Sequence, residues 1–318
     1  MPISLTATGV QFPDNSVRTT ARHLRYRDKA IFGYGAIPPS FSYNITNQVN
    51  NTGLVSTDTT GVGSQRYGLA GASYGGDKAI FGYGQNGFPG TRLSITNLVS
   101  PLGVVSADVT GVGTARSSLA AAGYGSEGRA IFGYGSTGSV TAVTNLISNT
   151  GVVSADTAGV GTARTALAAA GYGGDKAIFG YGSLTGTKAS MTNLVSNTGV
   201  VSADTTGVGT ARSSLAAAGY GGDKAIFAFG SNTTTFVSIL NLVSNTGVVA
   251  SDTTTTGTAK QLGGGSSYGG DKAIFGYGDS AAGNLAVTNL VSNTGVVSAD
   301  VTGVGTARTL IAAAGFGS

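Results

Sequence analysis

The chain has 318 residues, 41 % of them hydrophobic and only 10 % charged, with 54 Gly and neither Cys nor Trp. That length fits two average domains or one large all-β domain, and the absence of Cys excludes disulfides and thiolate metal sites and fits synthesis in a reducing cytoplasm. The net charge of +4 is uneven, with five Lys/Arg against two Asp in residues 1–29 and near neutrality beyond; the broad basic face of a nucleic-acid binder is therefore not expected, and no apolar run reaches the ~18 residues of a membrane helix.

The opening residues lack the basic and apolar regions of a secretory leader, so none is expected. Residues 9–21 read GVQFPDNSVRTTA, and alternation at Val10, Phe12 and Val17 around Pro-Asp-Asn predicts a small hairpin. The stretch resembles a Gly-Val-x-Phe-x-Asp-Gly-Ser-x-Gln-Thr-Thr-Ala segment of phage tail-fibre and related virion proteins. Asn15 stands where that pattern has Gly, and Arg18 where it has Gln. The resemblance implies a virion attachment segment over residues 1–22, with Phe12, Asp14, Asn15 and Arg18 as its contact residues and other virion proteins as its partners.

From residue 23 onward the chain repeats. Ala-Ile-Phe begins at Ala30, Ala79, Ala130, Ala177, Ala225 and Ala273, at spacings of 47–51. Each unit holds four short apolar or small-residue runs, read here as strands A (LAAAG), B (AIFGYG), C (TNLVS) and D (GVVSAD). A Gly-Gly-Asp turn joins A to B, and Asn-Thr-Gly joins C to D; both carry the residues that positive φ favours. No segment has a helical period beyond one or two turns. Four strands per unit, six times over, predict an all-β fold: a six-bladed β-propeller over residues 23–318 with four-stranded blades. Strand A would line the axis, and the aromatic residues of strand B would fill the wedges between blades.

The ends of the chain are out of phase with the blades. The first blade starts at strand B and lacks an inner strand, while residues 309–316 are a surplus one. Pairing the two would close the ring and satisfy backbone groups otherwise left open. Antiparallel strands then put both termini on the A–B end and the B–C loops on the opposite end.

The units resemble kelch repeats, which share an Arg, a small-residue run, a Gly-Asp turn and an aromatic strand ending in glycines. In the fourth unit these are Arg164, 167–171, 174–175 and 178–182. The double glycine of that family is here Gly-Tyr-Gly, and its outer-strand Trp is missing. Repeats of this kind also look like those of tailed-phage structural proteins. The resemblance implies a closed propeller and a place in a virion, at the tail or the particle surface.

The B–C loops differ most between units, which reads either as a receptor-binding face or as drift in unconstrained surface loops. The candidate contacts of such a face are Phe41, Tyr43, Phe88, Arg92, Lys188 and Phe236, and its candidate ligand a host cell-surface glycan or protein. The recurring Asp at the end of strand D and the basic residue eight positions later are read as structural pairs fixing the D–A loop: Asp108 with Arg116, Asp156 with Arg164, Asp204 with Arg212. One carboxylate per loop is poor provision for calcium, which takes six to eight oxygens. The Asp-Lys pairs of the A–B turns read as turn chemistry, and the Tyr of the strand-A GYG as packing. With one His (His23), no Cys and no phosphate-loop motif, no catalytic, metal or cofactor site is expected. The sequence thus reads as a phage tail-fibre or baseplate-associated propeller that attaches to a host. An architectural decoration protein and a free multivalent lectin are the competing readings.

Overall fold

The computed structural model describes residues 4–6, 9–11, 17–18 and 28–317, and holds no helix among them. Strands β1 (Ser4–Thr6), β2 (Gly9–Gln11) and β3 (Val17–Arg18) form a small antiparallel sheet of their own. Val10 pairs with Arg18 and Gln11 with Val17, the pairing expected of a hairpin there. The residues between them, with Phe12, Asp14 and Asn15, lie outside the described residues, as does His23.

The rest is a succession of antiparallel sheets. β4 (Lys29–Ile37) and β5 (Phe41–Val49) come first, then β6 (Ala70–Tyr74), β7 (Lys78–Gly82), a β8–β9 hairpin (Gln85–Gly87, Gly90–Arg92) and β10 (Thr96–Val99). The next two units give β11 (Ala120–Tyr124), β12 (Arg129–Gly133), β13 (Thr144–Ile147), and β14 (Ala168–Tyr172), β15 (Lys176–Ser183), β16 (Lys188–Val195). The last give β17 (Ala216–Tyr220), β18 (Lys224–Ala228), β19 (Ile239–Val243), β20 (Thr253–Thr254), then β21 (Gly264–Tyr268), β22 (Lys272–Ser280), β23 (Gly283–Val291), and finally β24 (Ala312–Phe316). β24 pairs with β4, from Ala312 opposite Gly33 to Phe316 opposite Lys29. The surplus strand thus supplies the inner strand that the first unit lacks, as its phase predicts.

Strand B reads as a continuous apolar run because both its faces are covered. Successive residues point to opposite sides, so Ile178 packs against Phe227 and Leu215 of the following sheet. Phe179 turns the other way, against Ile131 and Tyr134 of the preceding one. Ring pairs such as Tyr134–Phe179 and Tyr181–Phe227 meet edge-on at 5.1 and 5.2 Å, worth about 0.5–1.5 kcal/mol each beyond burial. The strand-A tyrosines Tyr74, Tyr124, Tyr172 and Tyr268 lie in the same inter-sheet cores. A glycine in strand B makes the slot for the next sheet's phenylalanine: a Cβ on Gly180 would stand 2.6 Å from Phe227 Cζ.

The fourth strand is a correction to the sequence reading. Most units have three regular strands, and among the described residues only β17–β20 forms a four-stranded sheet. Elsewhere strand D is held by two isolated bridges, such as Val195–Val201 and Thr192–Thr205. Three steps on β16 therefore face four on the D segment, a bulge of one residue that breaks the ladder. Polar side chains replace the missing rungs: Leu194 N donates to Ser202 Oγ at 3.0 Å and Asn193 Nδ2 to Ser202 O at 3.0 Å.

Two cycles of backbone hydrogen bonds link successive sheets. In one, Ser118 N donates to Gly68 O, Ala166 N to Ser118 O, Ser214 N to Ala166 O, Leu262 N to Ser214 O, Leu310 N to Leu262 O, and Gly68 N to Leu310 O, at 2.6–3.0 Å. These six residues all have positive φ. The second cycle runs through the A–B turns, from Gly75 N to Gly128 O and round to Gly317 N on Asp77 O. The inner strands surround a cavity of about 120 Å³ lined by small apolar residues such as Ala121 and Ala169. Bulkier residues would not fit: a Cβ on Gly71 would lie 2.6 Å from Ala313 O.

Candidate functional site

Polar chemistry occupies two regions, a buried nest repeated in the sheets and the variable loops at one end. The nest explains itself as structure. Arg164 is fully buried, and all its donor groups are engaged. Nε donates to Tyr181 O at 2.8 Å, Nη2 to Asn193 Oδ1 at 2.6 Å, and Nη1 to Thr162 O at 3.0 Å. Its guanidinium lies 4.4 Å over the ring of Tyr134 in the preceding sheet, a cation–π contact strengthened by desolvation. Arg164 O in turn accepts from Gly135 N at 3.0 Å. A buried cation is tolerable only when paired and bonded this fully.

The same nest corrects the predicted Asp–basic pairs. Arg164 Nη1 stands 3.9 Å from Asp204, not beside Asp156. Arg66 pairs with Asp108, Arg212 with Asp252, and Arg308 with Asp58, while Asp156 accepts from Thr114 beside Arg116. Strands A and D lie on opposite edges of a sheet, so the basic residue eight positions after an Asp already belongs to the next sheet. It reaches back across strands B and C of that sheet to the Asp about 40 residues later, as from Arg164 to Asp204. Burial alone would raise Asp204. Hydrogen bonds from Thr162 and Asn193, with the Arg164 charge, outweigh it and hold the carboxyl below its ordinary range. With its oxygens so engaged, the Asp is poor material for a cation site. Among the described residues no three His, Cys, Asp or Glu gather to hold a metal.

Sequence reasoning missed two members of the nest. The Asn of every strand C (TNQ at Asn47, TNL or LNL in the other units), such as Asn97 and Asn193, is fully buried and bridges the basic residue to Asp. Its presence in all six units was the available signal. The Tyr of AIFGYG is held at positive φ, 62° for both Tyr134 and Tyr181, a conformation that costs a non-glycine residue about 1–3 kcal/mol. The kink registers as a bulge between Gly180 and Gly182 and aims the Tyr181 carbonyl at Arg164.

One unit departs from the pattern. Lys260 replaces Arg, and Phe229 replaces the Tyr under it. Lys260 Nζ donates to Asn289 Oδ1 at 2.6 Å and makes no bond to the Tyr277 carbonyl, the counterpart of the Tyr181 carbonyl that Arg164 Nε holds. Burial drives this lysine down to about 8, against the opposing pull of Asp300.

At the B–C end, the candidate contacts fall into two clusters. Phe41, 62 % exposed, and half-buried Tyr43 lie on β5. Tyr43 O accepts from Arg66 N at 3.2 Å, and the next residue, Tyr67, bridges to Gln85, which pairs with Arg92. Backbone pairing thus lays Tyr43, Tyr67, Gln85 and Arg92 in one row across two units. Phe88 stacks on Tyr67 at 4.3 Å with an interplanar angle of 7°. The second cluster joins Lys188, whose Nζ donates to Ser213 Oγ at 2.7 Å, to Phe236 through the bridges Ser213–Ser231 and Ser231–Phe236. Tyr67 and Gln85 were missed because they lie outside or at the edge of the variable loops. Of the attachment residues, Arg18 is on β3 and the other three are outside the described residues.

No protein-family model matches the chain, and no curated protein matches its sequence. Among solved structures it is similar to one titled "Structure of YjhT", with a TM-score of 0.60 and 10 % identity over 84 % of this chain and 96 % of that one. At that identity the likeness bears on the fold alone, which is all-β, with successive antiparallel sheets in a propeller-like arrangement.

Proposed function

We propose that the chain is a kelch-like, six-bladed propeller closed by β24, with its N-terminal segment attached to a phage tail fibre or baseplate, and that it binds a host surface receptor through the B–C loops. It is a binding or structural module of a virion rather than an enzyme, and host glycan or protein is its partner at the loop end. The closed ring is supported by the β24–β4 pairing and by the two hydrogen-bond cycles that return to their starting sheet. The binding reading rests on one observation. The divergent loops lie at the end of the sheets opposite Lys29 and Phe316, where the lead-in joins. The recurring charged groups near strand D are consumed by the nest, which leaves the loops as the place where the units differ chemically.

The test is adsorption of particles whose loops 85–95 and 231–239 are replaced by Gly-Ser. The reading requires a loss of adsorption with the protein still assembled; unchanged adsorption overturns it. An architectural decoration role is the second reading. It is favoured by aliphatic residues exposed at the C–D turns, including Leu54, Leu102, Val152 and Val200, an apolar set suited to assembly contacts. Cryo-electron microscopy of particles separates the two by whether loops or turns face outward. A lectin with six equal sites is disfavoured by the unlike loops.

A further inference from the structure

The cavity among the inner strands is a cup at the loop end of the sheets. Its rim is the positive-φ cycle of Gly68, Ser118, Ala166, Ser214, Leu262 and Leu310. The adjoining residues Tyr67 and Thr309 bridge to Gln85 and Ala36, where the variable loops begin. Deeper in, the inner strands close together: a Cβ on Gly265 would stand 2.6 Å from Ala217 O. The hydrogen-bond cycle accounts for the backbone conformation of the rim but not for the side chains placed on it. Gly68 adopts that conformation, at 61°, without strain. Leu262 and Leu310 adopt it at 57° and 56°, where a bulky residue is strained. Both leucines are partly exposed, and the inter-sheet core takes the following residue instead, as with Ile311. They are neighbours, since Leu310 N donates to Leu262 O, and they form an apolar lip. Ser118 stands across the rim from Leu262, three steps along the cycle, and Ser214 stands beside it. The hydroxyls of both serines have no protein partner among the described residues and are open to solvent. None of the described residues lining the cup is charged.

We propose that this cup binds a small neutral amphiphile, a short-chain alcohol or amide. Its volume of about 120 Å³ compares with the roughly 150 Å³ that takes benzene, so the ligand has about six non-hydrogen atoms. The apolar chain lies on Leu262 and Leu310, and the hydroxyl or amide exchanges hydrogen bonds with Ser118 or Ser214. A carboxylate of the same size would lose its hydration with no cation to replace it. The site goes beyond the receptor reading, because the inner strands build it and loops 85–95 and 231–239 do not line it.

The experiment is a ligand-observed NMR titration of the purified full chain with pentanol, butyramide and butyrate. Pentanol or butyramide is expected to saturate a single site, with butyrate weaker by about ten-fold or more. Leu262→Gly combined with Leu310→Gly should weaken binding about ten-fold or more. It should not lower the thermal midpoint, because glycine relieves the strained φ. Leucines kept only for the fold would give the reverse, a lower midpoint with binding unchanged, and that result overturns the proposal. Ser118→Ala combined with Ser214→Ala should weaken binding about three- to ten-fold. Ala169→Leu should fill the cup and abolish binding; if circular dichroism shows that this variant does not fold, the glycine pair decides. Saturation by none of the probes overturns the proposal, as does tighter binding of butyrate, which would indicate an anion site instead. Gly-Ser replacement of loops 85–95 and 231–239 should leave probe binding unchanged, so the receptor reading and this one stand or fall separately.

Discussion

Arg308 donates through Nη2 to Asn47 Oδ1 at 2.8 Å although 261 residues separate them. The same guanidinium gives Nε to Tyr34 O at 2.7 Å, and Thr306 beside it caps Asp58. A nest that other units build from one stretch of chain is here assembled from both ends. Arg308→Ala would leave Asn47 Oδ1 and the Tyr34 carbonyl buried without donors. Losing one partner of a buried charged network costs about 3–5 kcal/mol, and the expected outcome is a lower urea midpoint with an unchanged slope. A midpoint equal to wild type would show that the nest does not hold the chain ends.

Much of this was legible in the sequence. The Ala-Ile-Phe repeat, its glycine turns and the phase mismatch of the ends required an all-β chain in which the last strand completes the first sheet, and β24 on β4 meets that requirement. The pairing of Asp with Arg was not legible in the same way. Proximity along the chain suggested Asp108 with Arg116, whereas the sheet puts Arg66 beside Asp108. A long side chain can reach across neighbouring strands of its sheet, and residue spacing carries no trace of that. The regularity of strand D was also overestimated, because Asn and Ser side chains can stand in for ladder rungs without any change of apolar pattern. The row from Tyr43 to Arg92 was half visible: its aromatic and basic members stand in divergent loops, but its order depends on bridges between units.

Lys260 offers a pH test. Its value near 8 in the folded chain lies below the ~10.4 of an unfolded lysine. Between those values the unfolded state binds more protons, so this group makes stability rise as pH increases from about 8 to about 10. Above that range the buried tyrosines, with Tyr277 raised to about 12, work in the opposite direction. Thermal unfolding at pH 7.5 and 9.5 should show a gain for wild type and a smaller gain or none for Lys260→Arg. A rise of the same size in both would remove Lys260 as its source.

The glycine slots predict a graded series. Gly133 faces Phe179, where a Cβ would lie 2.7 Å from the ring. One unit already carries Ala at this place, Ala228, and there the ring pair Phe229–Phe275 is spread to 5.7 Å against 5.1 Å for Tyr134–Phe179. Gly133→Ala should therefore cost about 1 kcal/mol and Gly133→Val about 3 kcal/mol or more, since overpacking is relieved only by moving the next sheet. Denaturant titration of the two variants checks the order; equal costs would mean that the sheets adjust freely.

Removal of residues 309–318 takes away β24, the inner strand of the sheet that β4 begins. Ala30, Ile31 and Phe32 of β4 are fully buried, so their backbone groups would lose partners inside the core rather than at a wetted edge. One link of each hydrogen-bond cycle goes as well: Leu310 from the positive-φ cycle and Gly317 from the turn cycle. Arg308 stays in the truncated chain, so a loss of stability reports on the strand and the cycles rather than on the nest. The expected outcome is a chain that unfolds at markedly lower temperature by far-ultraviolet circular dichroism, with recovery when a peptide of sequence TLIAAAGFGS is added in trans. Recovery should depend on peptide concentration, because pairing by a free strand is a binding equilibrium. A truncated chain as stable as the whole one would mean that the sheets stand without β24, and the closed ring would no longer be needed to explain the fold.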